Sequence, residues 1–490
     1  PLEPPDALCH SPVLPLAPGA TGSSTLPMLR MSENFQHAQG TSSIGIIFTL
    51  WNTMMGSTLL VMPYTFQQAG WLLALACSVI CAIIAQFTCG LILNYAQGLM
   101  ANPSAEFADL ASMHFGEVGR LVTFLTGNIV VLAAAVSMHK YSSDMLQSLI
   151  AFPPRHGGFC YAADGDVHWQ KVTDSPCAVP SLLYPLIVLA VVLPLANLPS
   201  IRLLAKLNTV GVFCFMIILG FAYASAAVAG IEMDAFRQPH LARNPASAGI
   251  VFGIFSLSFF IHNAVMTIMR GAARPSNNRR DLFIAFALTW LCYVSMGVSA
   301  NICPPLHDLE ALGSDEAKNG LLALQQPAEM APMLVLARVA VLIQSLTVYP
   351  VLLFIVRSQL FTAFIFHRPY PGPLPTFIIS CAQAAITTTL VELGVNISDV
   401  LKVAGAGGGL VCVFGLPALI HAKVSHEKGE LTLLRAIVVL LLIAFGLFTV
   451  VMQLIPSAEP SSANSTLPNV SLHNFSNSSA LSPSEVSLRH

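Results

Sequence analysis

Long apolar runs recur through the middle of this chain, at about 44–66, 71–98, 118–150, 180–198, 204–229, 247–271, 281–302, 332–366, 374–394, 400–421 and 432–455. A run of roughly 18 or more apolar residues is long enough to cross the hydrocarbon core of a bilayer as a helix. Inside lipid no water satisfies the backbone, so a helix that bonds its own N–H and C=O groups is the natural solution for such a run. The pattern predicts an all-α polytopic membrane protein with eleven transmembrane helices. Charge supports this, because only 9% of the 490 residues are charged, against about 25% in a soluble domain. The windows 118–150 and 332–366 exceed what a crossing needs, which predicts tilt or extension beyond the bilayer.

The remainder divides simply. Residues 1–42 are rich in Pro, Gly and Ser and read as a disordered N-terminal tail. They show no basic start followed by an apolar run, so the first span itself directs insertion. Residues 43–455 form the transmembrane domain. Residues 456–490 form a second disordered tail, with 11 Ser and 4 Asn among positions 457–490, too polar to build a core. The chain shows no P-loop, no paired carboxylates within a span and no nucleophile beside a base, so neither an enzyme nor an ATP-driven pump is encoded. A net charge of −2 without a basic stripe gives nucleic acid nothing to bind. Membrane lipid is the surrounding partner.

Two signals orient the spans. Arg270, Arg274, Arg279 and Arg280 share one connection, and Lys423 and Lys428 another. With Arg202, Lys206, Arg357, Arg368 and Arg435 they fall on the face that holds the N-terminus, which the positive-inside rule makes cytosolic. An odd number of crossings then puts the C-terminus in a lumen or outside the cell. The five N-x-[ST] sequons, at Asn396, Asn464, Asn469, Asn474 and Asn477, all fall on that opposite face. The last four are candidate glycosylation sites, while Asn396 lies too close to the membrane to be modified. Cys160 and Cys177 share the 151–179 connection on the same oxidising face, which predicts a disulfide between them. Cys77, Cys81, Cys214 and Cys412 sit inside spans as small apolar fillers.

The chemistry concentrates where the helices are interrupted. The first span reads "TLWNTMMGSTLLVMP" and places Asn52, Thr53, Gly56, Ser57, Thr58 and Pro63 within a crossing. The sixth reads "GIVFGIFSLSFFIHNAVM", with Gly253, Ser256, Ser258, His262 and Asn263. These spans lie five apart, as expected of a five-plus-five inverted repeat with one additional helix. In such an architecture the first helix of each repeat unwinds at the midplane, exposing N–H groups to an anion and carbonyls to a cation. Close packing of Gly and Ser is the plainer explanation, but it does not account for four hydrogen-bonding side chains around Gly56. A lone mid-span His262 reads more simply as a packed side chain than as a proton relay. In the eighth span, "VLIQSLTVYPVLLFIVRSQLF", Ser345 and Thr347 carry hydroxyl oxygens and Pro350 frees a nearby carbonyl. These oxygens suit a sodium ion, or simply bond back to their own turn. Gly405, Gly407, Gly408 and Gly409 in the tenth span serve close packing or a bend.

At these residues the chain resembles a known family. "NTMMGSTLLVMP" is similar to the first-helix motif of the amino acid/auxin permease family, and "FFIHNAVM" to its sixth-helix segment. "SLTVYPVLLFIVRSQL" is similar to the eighth helix of the sodium-coupled neutral amino acid transporters, solute carrier family 38, and "GLPALIHAK" to their tenth-helix ending. Within that family "TLWNTMMG" most resembles a lysosomal branch that reports lumenal amino acids to growth signalling. The likeness covers about 43–455.

The resemblance implies a LeuT-like fold carrying amino acids by alternating access with sodium, without an organic cofactor. It implies that Asn52 and Thr347, with Ser345 nearby, hold sodium. Thr53, Met54, Met55, Gly56, Ser57 and Thr58 match the unwound substrate segment, and Ser256, Ser258 and His262 are its candidates in the sixth span. It also implies a lysosomal or late endosomal membrane ahead of the plasma membrane. A cytosolic signalling partner would follow too, although residues 1–42 carry no recognisable segment for one. A non-transporting receptor built on the same fold would need the same site. A channel would need continuous polar stripes, and the spans show isolated breaks instead. No acidic residue lies in the first or sixth span, so arginine would need carbonyls or a distant carboxylate, whereas leucine or glutamine would not.

Overall fold

The structure is a computed structural model that describes residues 40–56, 58–102, 105–150, 182–199, 201–229, 248–301, 331–366, 368, 370–394 and 397–454. The principal elements among them are helices: α1 (Ser43–Met55), α2 (Thr58–Ala69), α3 (Trp71–Tyr95), α4 (Phe107–Ile150), α5 (Leu183–Ala196), α6 (Ile201–Ala229) and α7 (Ala248–Ser258). They continue with α8 (Val265–Met269), α9 (Asn278–Asn301), α10 (Ala331–Leu360), α11 (Pro373–Glu392), α12 (Ile397–Gly408), α13 (Leu416–Glu427) and α14 (Leu433–Leu454). Short π-helical segments follow α10 and α12, at Phe361–Ile365 and Gly409–Gly415. The predicted pairing of Cys160 with Cys177, the five sequons, residues 1–39 and the C-terminal tail lie outside the described residues, while residues 40–42, expected in the N-terminal tail, are ordered against the start of the first helix and the chain near Gly271.

Eight helical stretches among the described residues are long and apolar enough to cross a membrane, and the bent pair α1–α2 makes a ninth. The expected span at 180–198 is the shorter α5, of 14 residues. The expected span at 247–271 is divided between α7 and α8. The 44-residue α4 is interrupted at Gly116, where φ is +65° and ψ −160°. The crossing part therefore begins close to 118, as the apolar pattern indicated. Outward faces carry large apolar side chains such as Ile83, Phe213 and Leu440, each more than half exposed. Lipid makes that arrangement stable, since exposed leucine costs nothing against acyl chains.

Polar contacts, rather than apolar burial, specify how the helices interlock. Against lipid the hydrophobic effect hardly favours helix association, so packing and interhelical hydrogen bonds carry it. The fully buried Arg357 of α10 donates to the Ala196 carbonyl at the end of α5, to Leu198 O at 3.1 Å and to Ser380 Oγ of α11 at 3.3 Å. One cation thereby takes up carbonyls that a helix C-terminus leaves without partners. Higher on the same helices, Tyr349 Oη lies 3.1 Å from His139 Nδ1 of α4 and 2.7 Å from Thr387 Oγ1 of α11. These bonds tie α4, α5, α10 and α11 into one scaffold. A second group forms where α9 packs against α1, α2 and α3, and α3 against α7. Thr41, just before α1, pairs with the chain beyond α8, donating to Gly271 O at 2.7 Å and accepting from Ala273 N at 2.9 Å.

Candidate functional site

The first break follows from one backbone conformation. α1 ends at Met55, and Gly56 adopts φ +34° and ψ −145°, which a residue with a Cβ rarely enters. The chain resumes as α2 at Thr58, at an angle of 53° to α1. Ser57 lies outside the described residues. Thr58 Oγ1 lies 3.3 Å from Met55 O, capping the broken end. The second break separates α7 from α8 across residues 259–264. Ser256 and Ser258 donate to Phe252 O and Ile254 O, both at 2.7 Å, so their hydroxyls are spent within α7. His262 Nε2 lies 2.8 Å from Thr88 Oγ1 of α3.

One side chain joins both breaks. Tyr293 of α9, fully buried, places its hydroxyl 2.7 Å from Met54 O, 3.1 Å from Ser258 O and 2.7 Å from Thr58 Oγ1. A second clamp comes from α10: Asn263 donates to Gln359 Oε1 at 2.9 Å, and Gln359 Nε2 returns a bond to Asn263 O at 2.8 Å. Tyr293 and Gln359 had not been singled out by sequence. The one available signal was a hydrogen-bonding group inside an apolar run, which must find a partner across the bundle.

Between the breaks and the scaffold lies a cavity of about 60 Å³. Thr53, Met54, Gly56 and Thr58 line it from the first break, and Leu257, Phe260, Ile261 and Ala264 from the second. Val130, Val131, Ala134 and Met138 of α4 and Val348, Leu352 and Ile355 of α10 supply apolar walls. Among the described residues no charged side chain lines it, so the polar groups it presents are the two threonines and the main chain. At roughly 10–15 Å³ for each water-sized group, it holds about five, close to the atoms of a bare amino acid main chain. Of the sequence candidates, Thr53, Met54, Gly56 and Thr58 meet at this cavity, whereas Met55, Ser256, Ser258 and His262 are buried beside it without lining it.

Asn52 and Thr347, far apart in sequence, come together beneath the break. Asn52 Nδ2 lies 3.4 Å from Thr347 Oγ1 and 2.7 Å from Oδ1 of Asn208 on α6. Ser345 donates to Val341 O at 2.9 Å within its own helix. Pro350 lacks the N–H that would meet the Leu346 carbonyl one turn back, leaving an oxygen adjacent to Thr347 in sequence.

Helices of membrane length thus surround two interrupted segments that meet at one small cavity. Residues 39–457 match the family model described as transmembrane amino acid transporter protein, and the chain belongs to that family. A Caenorhabditis elegans protein named sodium-coupled neutral amino acid transporter 9 homolog is 29% identical over 460 residues, covering 84% of this chain and 73% of the relative. Neutral amino acid transporter 9 of Xenopus laevis is 26% identical, covering 84% and 80%, and its Rattus norvegicus counterpart 24%, covering 84% and 79%. Among solved structures, a mutant manganese transporter of Eremococcus coleocola superposes with a TM-score of 0.53 at 12% identity, covering 89% of this chain and 88% of that one. A nucleobase-cation-symport-1 family transporter, closed around bromovinylhydantoin, gives 0.52 at 13% identity, covering 85% and 92%. The fold is thus shared with these two transporters, at identities that speak for architecture alone.

Proposed function

We propose that this protein is a secondary active amino acid transporter that couples uptake or efflux to sodium by alternating access. The observation that carries the reading is the cavity: both interrupted helices open onto it, and its walls are apolar. The start of α2 presents a positive helix end suited to a carboxylate. The carbonyls of Met54 and Ser258, at the ends of α1 and α7, carry partial negative charge suited to an ammonium group. Apolar walls then receive a neutral side chain such as that of leucine or glutamine. Sodium enters as a second substrate at Asn52 and Thr347, with Ser345 as the neighbouring hydroxyl.

Eleven crossings follow if α5 and the pair α7–α8 each count as one. In that arrangement the N-terminus is cytosolic and the sequons at Asn464, Asn469, Asn474 and Asn477 are lumenal, as is a disulfide between Cys160 and Cys177. The names of the relatives favour transport of neutral amino acids, and the resemblance of the first span favours a lysosomal membrane. The test is reconstitution of the full chain in liposomes, following labelled leucine, glutamine and arginine in sodium and in choline. Flux that requires a sodium gradient supports the proposal. Saturable binding without flux replaces transport by reception, and equal flux in both salts removes sodium.

A further inference from the structure

We propose that Asn208 on α6 couples the cation corner to the substrate cavity, and that Gly211, one turn later, lets α6 pack closely enough on that corner for the coupling bonds to form. The inference rests on the sodium-coupled reading above. Asn52 and Asn208 are both fully buried. The Asn52 amide nitrogen donates to Asn208 Oδ1 at 2.7 Å, while Asn52 Oδ1 has no hydrogen-bond partner among the described residues. A buried acceptor without a donor is costly to keep, and a cation satisfies it directly. On its other side Asn208 uses Nδ2, 3.3 Å from Thr53 Oγ1, and Thr53 lines the cavity. Thr53 in turn donates to Thr49 O at 2.6 Å. The amide of Asn208 therefore stands between the residue that faces the cation and the residue that faces the substrate.

Gly211 permits the approach. A Cβ built on it would lie 2.5 Å from Asn52 Nδ2, 2.7 Å from Asn52 Oδ1 and 2.8 Å from Thr347 Oγ1, closer than a real Cβ stands to its neighbours. Glycine therefore lets α6 come against Asn52 and Thr347, and a methyl group there would push both side chains out of place. A cation drawn to Asn52 Oδ1 polarises the whole amide and makes its N–H a stronger donor to Asn208. That polarisation passes on through Asn208 Nδ2 to Thr53, because hydrogen bonds in a low-dielectric chain strengthen one another. No bond need break. Coupling of this kind is reciprocal, so sodium and substrate should raise each other's affinity by one common factor, typically about 5–150-fold.

The experiment compares labelled leucine binding in sodium and in choline for the full chain in detergent. The readout is the ratio of the two affinities, which a merely structural role would leave unchanged while weakening both. The expected result is a ratio of about 5 or more in the wild type, falling towards 1 in Asn208→Leu and in Gly211→Ala. A wild-type ratio retained in monodisperse Asn208→Leu overturns the proposal. Should that variant fail to fold, Gly211→Ala decides, and a ratio kept there overturns it equally. A ratio of 1 in the wild type, repeated with glutamine and arginine, rejects the sodium-coupled reading itself and this proposal with it. That outcome is distinguishable because it appears before any substitution is made.

Discussion

The hydroxyl of Tyr293 lies 2.7 Å from the carbonyl oxygen of Met54, the last turn of the first half-helix. It lies 3.1 Å from Ser258 O at the end of the other half-helix, and one O–H has a single proton to give. The two broken ends therefore share one donor, and whichever carbonyl it leaves is available to a substrate ammonium. Tyr293→Phe removes the donor with almost no change in volume. Uptake of labelled leucine is expected to fall by about 10-fold or more, with the protein still monodisperse in size-exclusion chromatography. Unaltered uptake would remove Tyr293 from the transport cycle.

Gly56→Ala places a Cβ on a backbone at φ +34°, where strain of about 1–3 kcal/mol is expected. Thermal stability and uptake should both drop. Gly407→Ala is the control, since nothing lies within 4 Å of its added carbon and alanine favours a helix. It should leave stability equal or slightly improved.

The cavity walls predict specificity. Ala134→Phe fills the room beside Thr53 and Gly56 and should abolish uptake of leucine and glutamine alike. Met138→Ala enlarges the same wall and should shift preference toward bulkier side chains in competition assays. An unchanged substrate ranking in both variants would place recognition elsewhere.

Arg357→Met keeps a long apolar stem but leaves the carbonyls of Ala196 and Leu198 without their shared cation. Each buried acceptor left unpaired costs about 1–3 kcal/mol. A thermal-shift measurement should show clear destabilisation, with Arg357→Lys in between because a point charge replaces a planar fork.

Glu106, just before the first turn of α4, is buried. It accepts from Thr267 Oγ1 at 2.5 Å, and Arg270 Nη1 stands 3.8 Å away. Burial pushes its carboxyl up from 4.5 to about 7; Arg270 and the bonds from Thr267 and Gln359 oppose the shift, and Asp109 adds to it. Between about pH 4.5 and 7 the folded protein holds a proton that the unfolded chain has released, so stability falls as pH rises through that window and then levels off. Glu106→Gln, a neutral stand-in for the protonated acid, should flatten the profile of Tm between pH 5 and 7. A slope matching the wild type would assign the titration to another group.

The helical, membrane-spanning character was legible because lipid imposes one requirement on every apolar window, and the interruption at Gly56 was legible because glycine among hydroxyls contradicts that requirement. The sixth span was read through its serine side chains, yet Ser256 and Ser258 turn their hydroxyls back onto α7, and it is the Ser258 carbonyl that meets Tyr293. A sequence displays side chains and not which carbonyls are freed. Asn52 and Asn208 lie 156 residues apart, and Thr58 and Tyr293 235 apart. Asn208 and Tyr293 are unremarkable in their own helices, and only the packing of α6 and α9 around α1 brings them to Asn52 and Thr58.

The π-helical segment Gly409–Gly415 has a consequence for reading the last third of the chain. Wider turns accommodate about one residue more than an α-helix of the same height. The face of α13 is therefore rotated out of phase with that of α12, and a periodicity counted straight through both assigns their inward sides wrongly. Gly446 of α14 presses against this segment, where an added Cβ would stand 3.0 Å from Leu410 Cδ1 and from Phe414 Cβ. Deleting a single residue within 409–415 would let the segment close into an ordinary α-helix and leave Leu416–Glu427 facing nearly as before. The same deletion inside α13 would turn every later residue of that helix by roughly a quarter of a revolution, since each α-helical residue advances 1/3.6 of a turn, so the bulge is the one place in this stretch that absorbs a length change.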